Sequence, residues 1–178
     1  QYVGYDTFAR VKRMKWEYHE DTTPVIQDES TYTYDVASNR LTREVPITSN
    51  QDQSYDYDEI HRLANFRQGE LSGGSIPSTT QEESWTLDGL GNWTQFGKQV
   101  EGEEPDSLVQ SRVHDPVNQI ADINVILPPG VTWPNPVYDE AGNMTDGPSP
   151  HDGRKPQKYT YDAWNRLVEV EVSSEQGS

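Results

Sequence analysis

Apolar and polar positions alternate with a period of two in short runs along this chain. Tyr32 and Tyr34 share one phase, as do Tyr55 and Tyr57, and Tyr159 and Tyr161. Met14, Trp16 and Tyr18 alternate in the same way, and Val168, Val170 and Val172 are interleaved with Glu169 and Glu171. A strand points successive side chains to opposite faces, so this pattern predicts half-buried β-strands. Ser, Thr, Pro and Gly interrupt every window long enough for a helix, and none is predicted.

The runs are punctuated by a recurring signal. Tyr5-Asp6 leads to Arg10, Tyr34-Asp35 to Asn39-Arg40, and Tyr57-Asp58 to Arg62-Leu63. Leu87-Asp88 leads to Asn92-Trp93, His114-Asp115 to Gln119-Ile120, Tyr138-Asp139 to Asn143-Met144, and Tyr161-Asp162 to Arg166-Leu167. The seven Asp anchors recur every 23 to 30 residues. A variable repeat of this size is the mark of a β array, because helical repeats hold their length more tightly.

The turn chemistry follows from the residue types. Asp is favoured at the first position of a type I turn, where its carboxylate accepts hydrogen bonds from amides just ahead. The third residue after Asp is Gly91, Asn118, Gly142 or Asn165 in four repeats, and these types tolerate positive φ. A type I turn closed by a left-handed residue is a common three-residue hairpin loop. Each Asp therefore ends an incoming strand, and the Arg or Asn four residues later starts the outgoing one. Ala9 and His61 break the Gly/Asn rule, so their turns are expected to be strained or of another type. Ser72–Thr80, Pro128–Pro136 (with four prolines) and Asp146–Pro156 are predicted to be longer loops on the side away from the tight turns. The fold class predicted is all-β: consecutive antiparallel hairpins across residues 1–178, read as a single array.

Composition narrows the picture. Hydrophobic residues make up 31% of the 178, yet there are 10 Tyr, 5 Trp and 3 Phe, so a thin core built mainly of Tyr and Trp is expected. The net charge of −16 disfavours nucleic acid as a partner and helps keep a β-rich surface soluble. With no Cys, disulfides and thiolate chemistry are excluded, and no apolar run approaches membrane-spanning length. A first residue of Gln rather than Met suggests a processed or excised piece.

Candidate chemistry is sparse. The carboxylates Asp6, Asp35, Asp58, Asp88, Asp115, Asp139 and Asp162 read as turn caps rather than as a catalytic or calcium-binding ladder. Glu101, Glu103, Glu104 and Asp106 lack the spacing of a calcium loop. His19, His61, His114 and His151 form no metal-ligand pair, and no serine stands in a nucleophile elbow. No enzyme activity, metal or cofactor is therefore expected. Arg10, Arg40, Arg62 and Arg166 are expected to stack on Tyr rings or pair with carboxylates. Trp85 and Trp93 read as packing residues. Trp133, in a Pro-rich loop, and Trp164, at a turn tip, are the candidate glycan platforms. Asn92-Trp-Thr94 and Asn143-Met-Thr145 match glycosylation acceptors but fall on repeat positions.

The segments Tyr32-Thr-Tyr-Asp-Val-Ala-Ser-Asn-Arg-Leu41, Tyr159-Thr-Tyr-Asp-Ala-Trp-Asn-Arg-Leu167 and Tyr138-Asp-Glu-Ala-Gly-Asn-Met144 resemble the rearrangement-hotspot, or YD-repeat, family. Seven such motifs in register cover nearly the whole chain. The resemblance implies a spiralling sheet of antiparallel hairpins, as in bacterial polymorphic toxins, insecticidal toxin-complex subunits and teneurins, where the repeats form a hollow shell around a toxin domain. It implies a secreted or cell-surface bacterial protein, with adjoining repeats or a toxin domain as partners. Self-association through open strand edges and glycan binding are further expectations. The family's sealing segment, with its Asp-Pro-x-Gly-Leu signature and autoproteolytic aspartate, is not found; His114-Asp-Pro-Val117 lies inside a degenerate repeat. The chain therefore reads as a sector of a shell or surface stalk, or as a short array with a function of its own.

Overall fold

A computed structural model describes residues 4–20, 23–102 and 107–172. All regular structure in the described residues is β, in thirteen strands. Each described pairing is antiparallel and joins strands adjacent in sequence. The chain divides into two compact units, Gln1–Trp85 with Lys98–Asp106, and Thr86–Gly97 with Ser107–Ser178.

The first unit holds β1 (Arg13–Glu20), β2 (Thr23–Tyr34), β3 (Arg40–Glu44), β4 (Asp52–Tyr57), β5 (Leu63–Gly69) and most of β6 (Thr79–Leu87). They lie side by side in chain order. The register pairs Arg13 with Thr31, Thr33 with Thr42, Thr42 with Ser54, Tyr55 with Phe66, and Phe66 with Glu83. Cross-strand contacts hold that register: the hydroxyls of Thr33 and Thr42 are 2.6 Å apart, and the Tyr55 and Phe66 rings meet at 5.7 Å. Asp52 secures two connections at once, accepting from the backbone N–H of Val45 at 2.7 Å and of Leu71 at 2.9 Å.

The second unit contains part of β7 (Trp93–Val100), then β8 (Ser107–His114), β9 (Ile120–Leu127), β10 (Val137–Tyr138), β11 (Met144–Pro148), β12 (Pro156–Tyr161) and β13 (Leu167–Val172). β8 pairs with β9, and β10 to β13 form a four-stranded sheet in chain order. The predicted loop Asp146–Pro156 is shorter than its Pro/Gly content implied. Asp146, Gly147 and Pro148 belong to β11, opposite Lys158, Gln157 and Pro156. A strand end accommodates proline because the missing N–H there costs little.

The core also differs from expectation. Among the described residues the buried apolar side chains are Val45, Ile76, Ile123 and Val125, and no Tyr or Trp is among them. Polar residues share the interior: Ser30, Thr42, Ser54, Ser149, Gln157 and the fully buried Gln110, whose Oε1 accepts from Arg112 at 2.9 Å. A sheet this polar leaves its aromatic rings half-exposed, because there is little apolar material to cover them. With so little burial, hydrogen bonds between hairpins carry more of the burden of defining the structure.

Candidate functional site

The tight turns share one geometry. In all seven, the Asp N–H donates to the carbonyl four residues on, at 2.8–3.0 Å, and the third residue's N–H returns to the Asp carbonyl at 3.0–3.2 Å. That third residue is left-handed in every repeat, with φ from 59° to 91° at Ala9, Ser38, His61, Gly91, Asn118, Gly142 and Asn165. The pairing register shifts beside the turn, as between Thr33 and Tyr34, Asp56 and Tyr57, or Thr160 and Tyr161. This is a type I turn closed by a bulge. The turns at Ala9 and His61 are therefore not of another type. The closing hydrogen bonds impose the conformation, and these side chains bear a left-handed backbone that L residues resist.

Each Asp carboxylate faces inward over its turn. Oδ1 accepts from the N–H two residues on in the Asp6, Asp58, Asp88, Asp115, Asp139 and Asp162 turns. It accepts from the N–H four residues on in all seven, Asp35 included. Oδ2 receives the side chain of that fourth residue: Arg10 at 2.6 Å, Asn39 at 2.7 Å, Arg62 at 2.6 Å, Asn92 at 3.0 Å, Asn143 at 2.9 Å and Arg166 at 2.7 Å. The Asn143 amide side chain, then its backbone N–H, hold Asp139 below the usual carboxylate range, and Asn92 does the same for Asp88. The Arg166 side chain lowers Asp162 likewise. For Asp6 and Asp35, partial desolvation pulls upward but is outweighed by the hydrogen bonds from Arg10 and Asn39.

The fourth residue then reaches a second turn, which sequence reasoning missed. In the first unit, Arg10 Nη1 donates to the Asp35 carbonyl at 2.9 Å and to Ser38 Oγ at 3.2 Å. Asn39 Nδ2 lies 2.9 Å from His61 Nδ1. Because the same nitrogen also donates to Asp35, it acts as donor here, and His61 Nδ1 accepts. In the second unit, Asn92 Nδ2 donates to Asn118 Oδ1 at 3.2 Å, and Asn143 Nδ2 to Asn165 Oδ1 at 3.0 Å. Gln119 Nε2 stands 3.3 Å from where a Cβ on Gly142 would be. Arg10, Asn39, Asn92 and Asn143 thus each clasp their own turn and touch the left-handed residue of the next. Only the recurrence of Arg or Asn at that offset hinted at it.

A second rail runs beside this ladder. Tyr34 Oη donates to the Val11 carbonyl at 2.7 Å, and Tyr57 Oη to the Arg40 carbonyl at 2.9 Å. Tyr138 Oη accepts from the Ile120 N–H at 3.2 Å. In each case the tyrosine before one Asp contacts the backbone five residues after the preceding Asp. The arginines stack as well: Arg10 lies over Tyr34 at 4.7 Å, Arg40 over Tyr32 at 4.7 Å, and Arg166 over Trp164 at 5.1 Å.

No family model matches the chain, and no curated protein matches it. Among solved structures it is similar to the crystal structure of TcdB2-TccC3-TEV, at 13% identity and a TM-score of 0.47 over 96% of this chain and 11% of that one. It is also similar to the crystal structure of TcdB2-TccC3, at 12% identity and a TM-score of 0.48 over 96% of this chain and 10% of the other. The chain thus spans about a tenth of the length of the chains it matches.

The remaining candidates are placed as follows. Trp133 is half-buried, with its indole lying on the backbone of Gly153, where a Cβ would collide with it. Trp164 is 75% exposed at its turn tip, with one face under Arg166. The two are not brought together by any described contact. Asn92 and Asn143, the glycosylation-like asparagines, have their Nδ2 atoms engaged in the ladder. Among the described residues no group of His, Asp or Glu is arranged to hold a metal. Glu101 is described and exposed, whereas Glu103, Glu104 and Asp106 lie outside the described residues. A groove of about 340 Å³ in the first unit is lined by Leu41, Tyr55, Asp56, Arg67 and Ile76, among others. Arg67 there is tied to Asp56 at 2.6 Å and Glu82 at 3.0 Å. No helix in the described residues is long and apolar enough to cross a membrane.

Proposed function

We propose that this chain is a structural module, a sector of a YD-repeat shell or surface stalk whose task is to build a continuous wall that encloses or displays a cargo domain of a longer, exported bacterial protein. The observation that carries this reading is the ladder. Its polar side chains join one turn to the next, and the carboxylates that would serve chemistry accept backbone amides and, in six of the seven turns, the side chain four residues on. A carboxylate held by two or three hydrogen bonds within its own turn is stabilised in its charged form and makes a poor base or nucleophile. The resemblance of the Tyr-Asp motifs to the YD-repeat family supports the same reading, and it implies the shell and the toxin-like cargo.

The test is hydrogen exchange on the intact chain. In a wall, Asn143→Ala loosens not only the Asp139 turn but also the amides of Trp164 and Arg166 in the next turn. Turns that exchange independently of their neighbours would sink the scaffold reading.

One observation favours a second reading, a carbohydrate-binding surface. Trp164 presents a free indole face at 75% exposure, and aromatic faces stack well on sugar rings. A glycan array separates the two. Specific capture that disappears in Trp164→Ala but survives in Trp133→Ala would assign glycan binding to the turn tip.

A further inference from the structure

Most arginines of this chain meet a carboxylate. Arg10, Arg13, Arg62, Arg67, Arg154 and Arg166 each do so at 2.6–2.9 Å. Arg112, on β8 in the second unit, makes no ion pair among the described residues, although the chain holds 30 acidic residues against 14 basic ones. Its cross-strand partner is the buried Ile123, and Gln110 on the same face stands opposite the buried Val125. The acid next along β9, Asp122, pairs with Val113 on the other face and accepts from Asn135 at 2.7 Å. The half-buried Arg112 guanidinium lies over the Trp93 ring at 4.9 Å, and Trp93 stacks on Phe96 at 5.6 Å. Burial pushes the Arg112 pKa down with no carboxylate to offset it, whereas Asp56 and then Glu82 raise that of Arg67.

Gln110 fixes how this guanidinium is presented. Its Oε1 accepts from Arg112 Nη2 at 2.9 Å and from Nε at 3.3 Å. A guanidinium carries five N–H groups in a planar fork, so this side-on grip leaves Nη1 and the outer Nη2 proton uncommitted. Gln110 is fully buried, and its Nε2 has no hydrogen-bond partner among the described residues. A buried donor without a partner destabilises the fold, and native structures keep few of them. Together the two side chains offer donors and no free acceptor. We propose that the Nη1–Nη2 edge of Arg112 is a binding site for a carboxylate, with Gln110 as its positioning residue. Two parallel N–H···O bonds are the geometry that a planar carboxylate takes on arginine. The net charge of −16 does not forbid this, because charges more than about 8 Å away are screened at physiological salt. The group can arrive on an acidic sugar or on an Asp or Glu side chain of another protein. The site is independent of the scaffold reading, since neither Arg112 nor Gln110 takes part in the ladder.

Binding is read from the Arg112 Nε–H and Trp93 indole cross-peaks in NMR spectra of the intact chain. The probes are glucuronate and a blocked Gly-Glu-Gly peptide. Glucose and a blocked Gly-Gln-Gly peptide, at matched ionic strength, are their neutral counterparts. Saturable shifts are expected with at least one carboxylate probe and with neither counterpart, and the tighter probe identifies the source of the group. Arg112→Lys keeps the charge but loses the fork, and is expected to weaken binding by roughly tenfold. Gln110→Glu sets an internal carboxylate against Arg112 and is expected to abolish binding. Gln110→Met keeps the volume but removes the acceptor. It is expected to weaken binding and to speed exchange of the Arg112 Nε–H, a change that a merely space-filling residue would not produce. The proposal is overturned if neither carboxylate probe shifts these cross-peaks more than its neutral counterpart does. It is also overturned if Arg112→Lys, or a folded Gln110→Glu, binds as well as the parent. Should Gln110→Glu fail to fold, the paired probes and Arg112→Lys still decide the question.

Discussion

Asn143 and Asn165, 22 residues apart, share a hydrogen bond of 3.0 Å from Nδ2 to Oδ1, and the same Nδ2 also donates to Asp139 Oδ2 at 2.9 Å. One amide group thus closes its own turn and holds the next. Asn143→Ala removes both bonds and leaves the Asp139 carboxylate short of a donor. We expect a loss of about 1–2 kcal/mol, because two bonds go together, one of them to a charged carboxylate, and both are exposed to water. Asn143→Asp is expected to cost more, since it sets a second carboxylate against Asp139. Urea unfolding monitored by circular dichroism checks both.

The left-handed Ala9 offers a stabilising change. An L residue in this region resists the conformation by roughly 1–2 kcal/mol, while glycine's extra freedom in the unfolded chain costs about half of that. Ala9 has φ of 60° and is exposed, so no packing is lost on removing its methyl. Ala9→Gly is therefore expected to stabilise by about 0.5–1 kcal/mol and to raise Tm by roughly 1–4 °C. His61→Gly shares the backbone gain but surrenders the contact with Asn39, so its benefit should be smaller. A calorimetric ranking with His61→Gly above Ala9→Gly would contradict this account of the turns.

The turn carboxylates set the acid limit. Asp88, Asp139 and Asp162 are held below the usual aspartate value of 3.8, chiefly by the side chains of Asn92, Asn143 and Arg166. A carboxylate with a depressed folded-state pKa binds fewer protons folded than unfolded, so its stabilisation is complete above the unfolded value and is lost as pH falls through the folded one. Stability is expected to be flat with respect to these groups between pH 5 and 7, in the sense of roughly constant denaturant midpoints, and to decline below about pH 4. Asp139→Asn should flatten part of that acid limb. A midpoint that moves as much with pH in the variant as in the parent would show that Asp139 is not among the groups responsible.

Trp133 and Gly153 make a close aromatic-on-backbone contact. A methyl at Gly153 has no room unless the indole leaves. Gly153→Ala is expected to destabilise by roughly 1–3 kcal/mol, the usual range for overpacking. The emission of Trp133 should shift to the red as the ring moves into solvent, with Trp133→Phe as the reference for assigning that signal. An unshifted spectrum with unchanged stability would mean that the indole is not seated there.

Much of the fold was legible because its signals are local. Alternation in Tyr32–Tyr34 or Val168–Val172 gives the strands, and Asp with Gly142 or Asn165 gives the turns, since a three-residue hairpin loop depends on only a few neighbouring dihedrals. Ser38, Ala9 and His61 were less legible. Their residue types argue against positive φ, and only the flanking strand pairing, which fixes the turn's length, forces them into it. The strand character of Asp146–Pro148 was hidden for a related reason: its partners Pro156–Lys158 lie across a loop, and composition reads proline as a breaker without seeing a strand end. The core was misread because aromatic content measures what can be buried, not whether enough apolar surface exists to bury it.

The sequence by itself determined the hairpins and their spacing. It also determined that Asp, the residue three after it and the residue four after it would form a unit, because those residues interact within a single turn. The tertiary structure decided what the unit does to its neighbour. Whether Asn143 meets Asn165, or Arg10 meets Ser38, depends on how far one hairpin is offset along the next. That offset is set by strand register and by bulges beside each turn, over separations of more than twenty residues, where no local propensity operates. Arg10, Asn39, Asn92 and Asn143 could be read as strand starts in the chain, and only the stacked hairpins turned them into rungs.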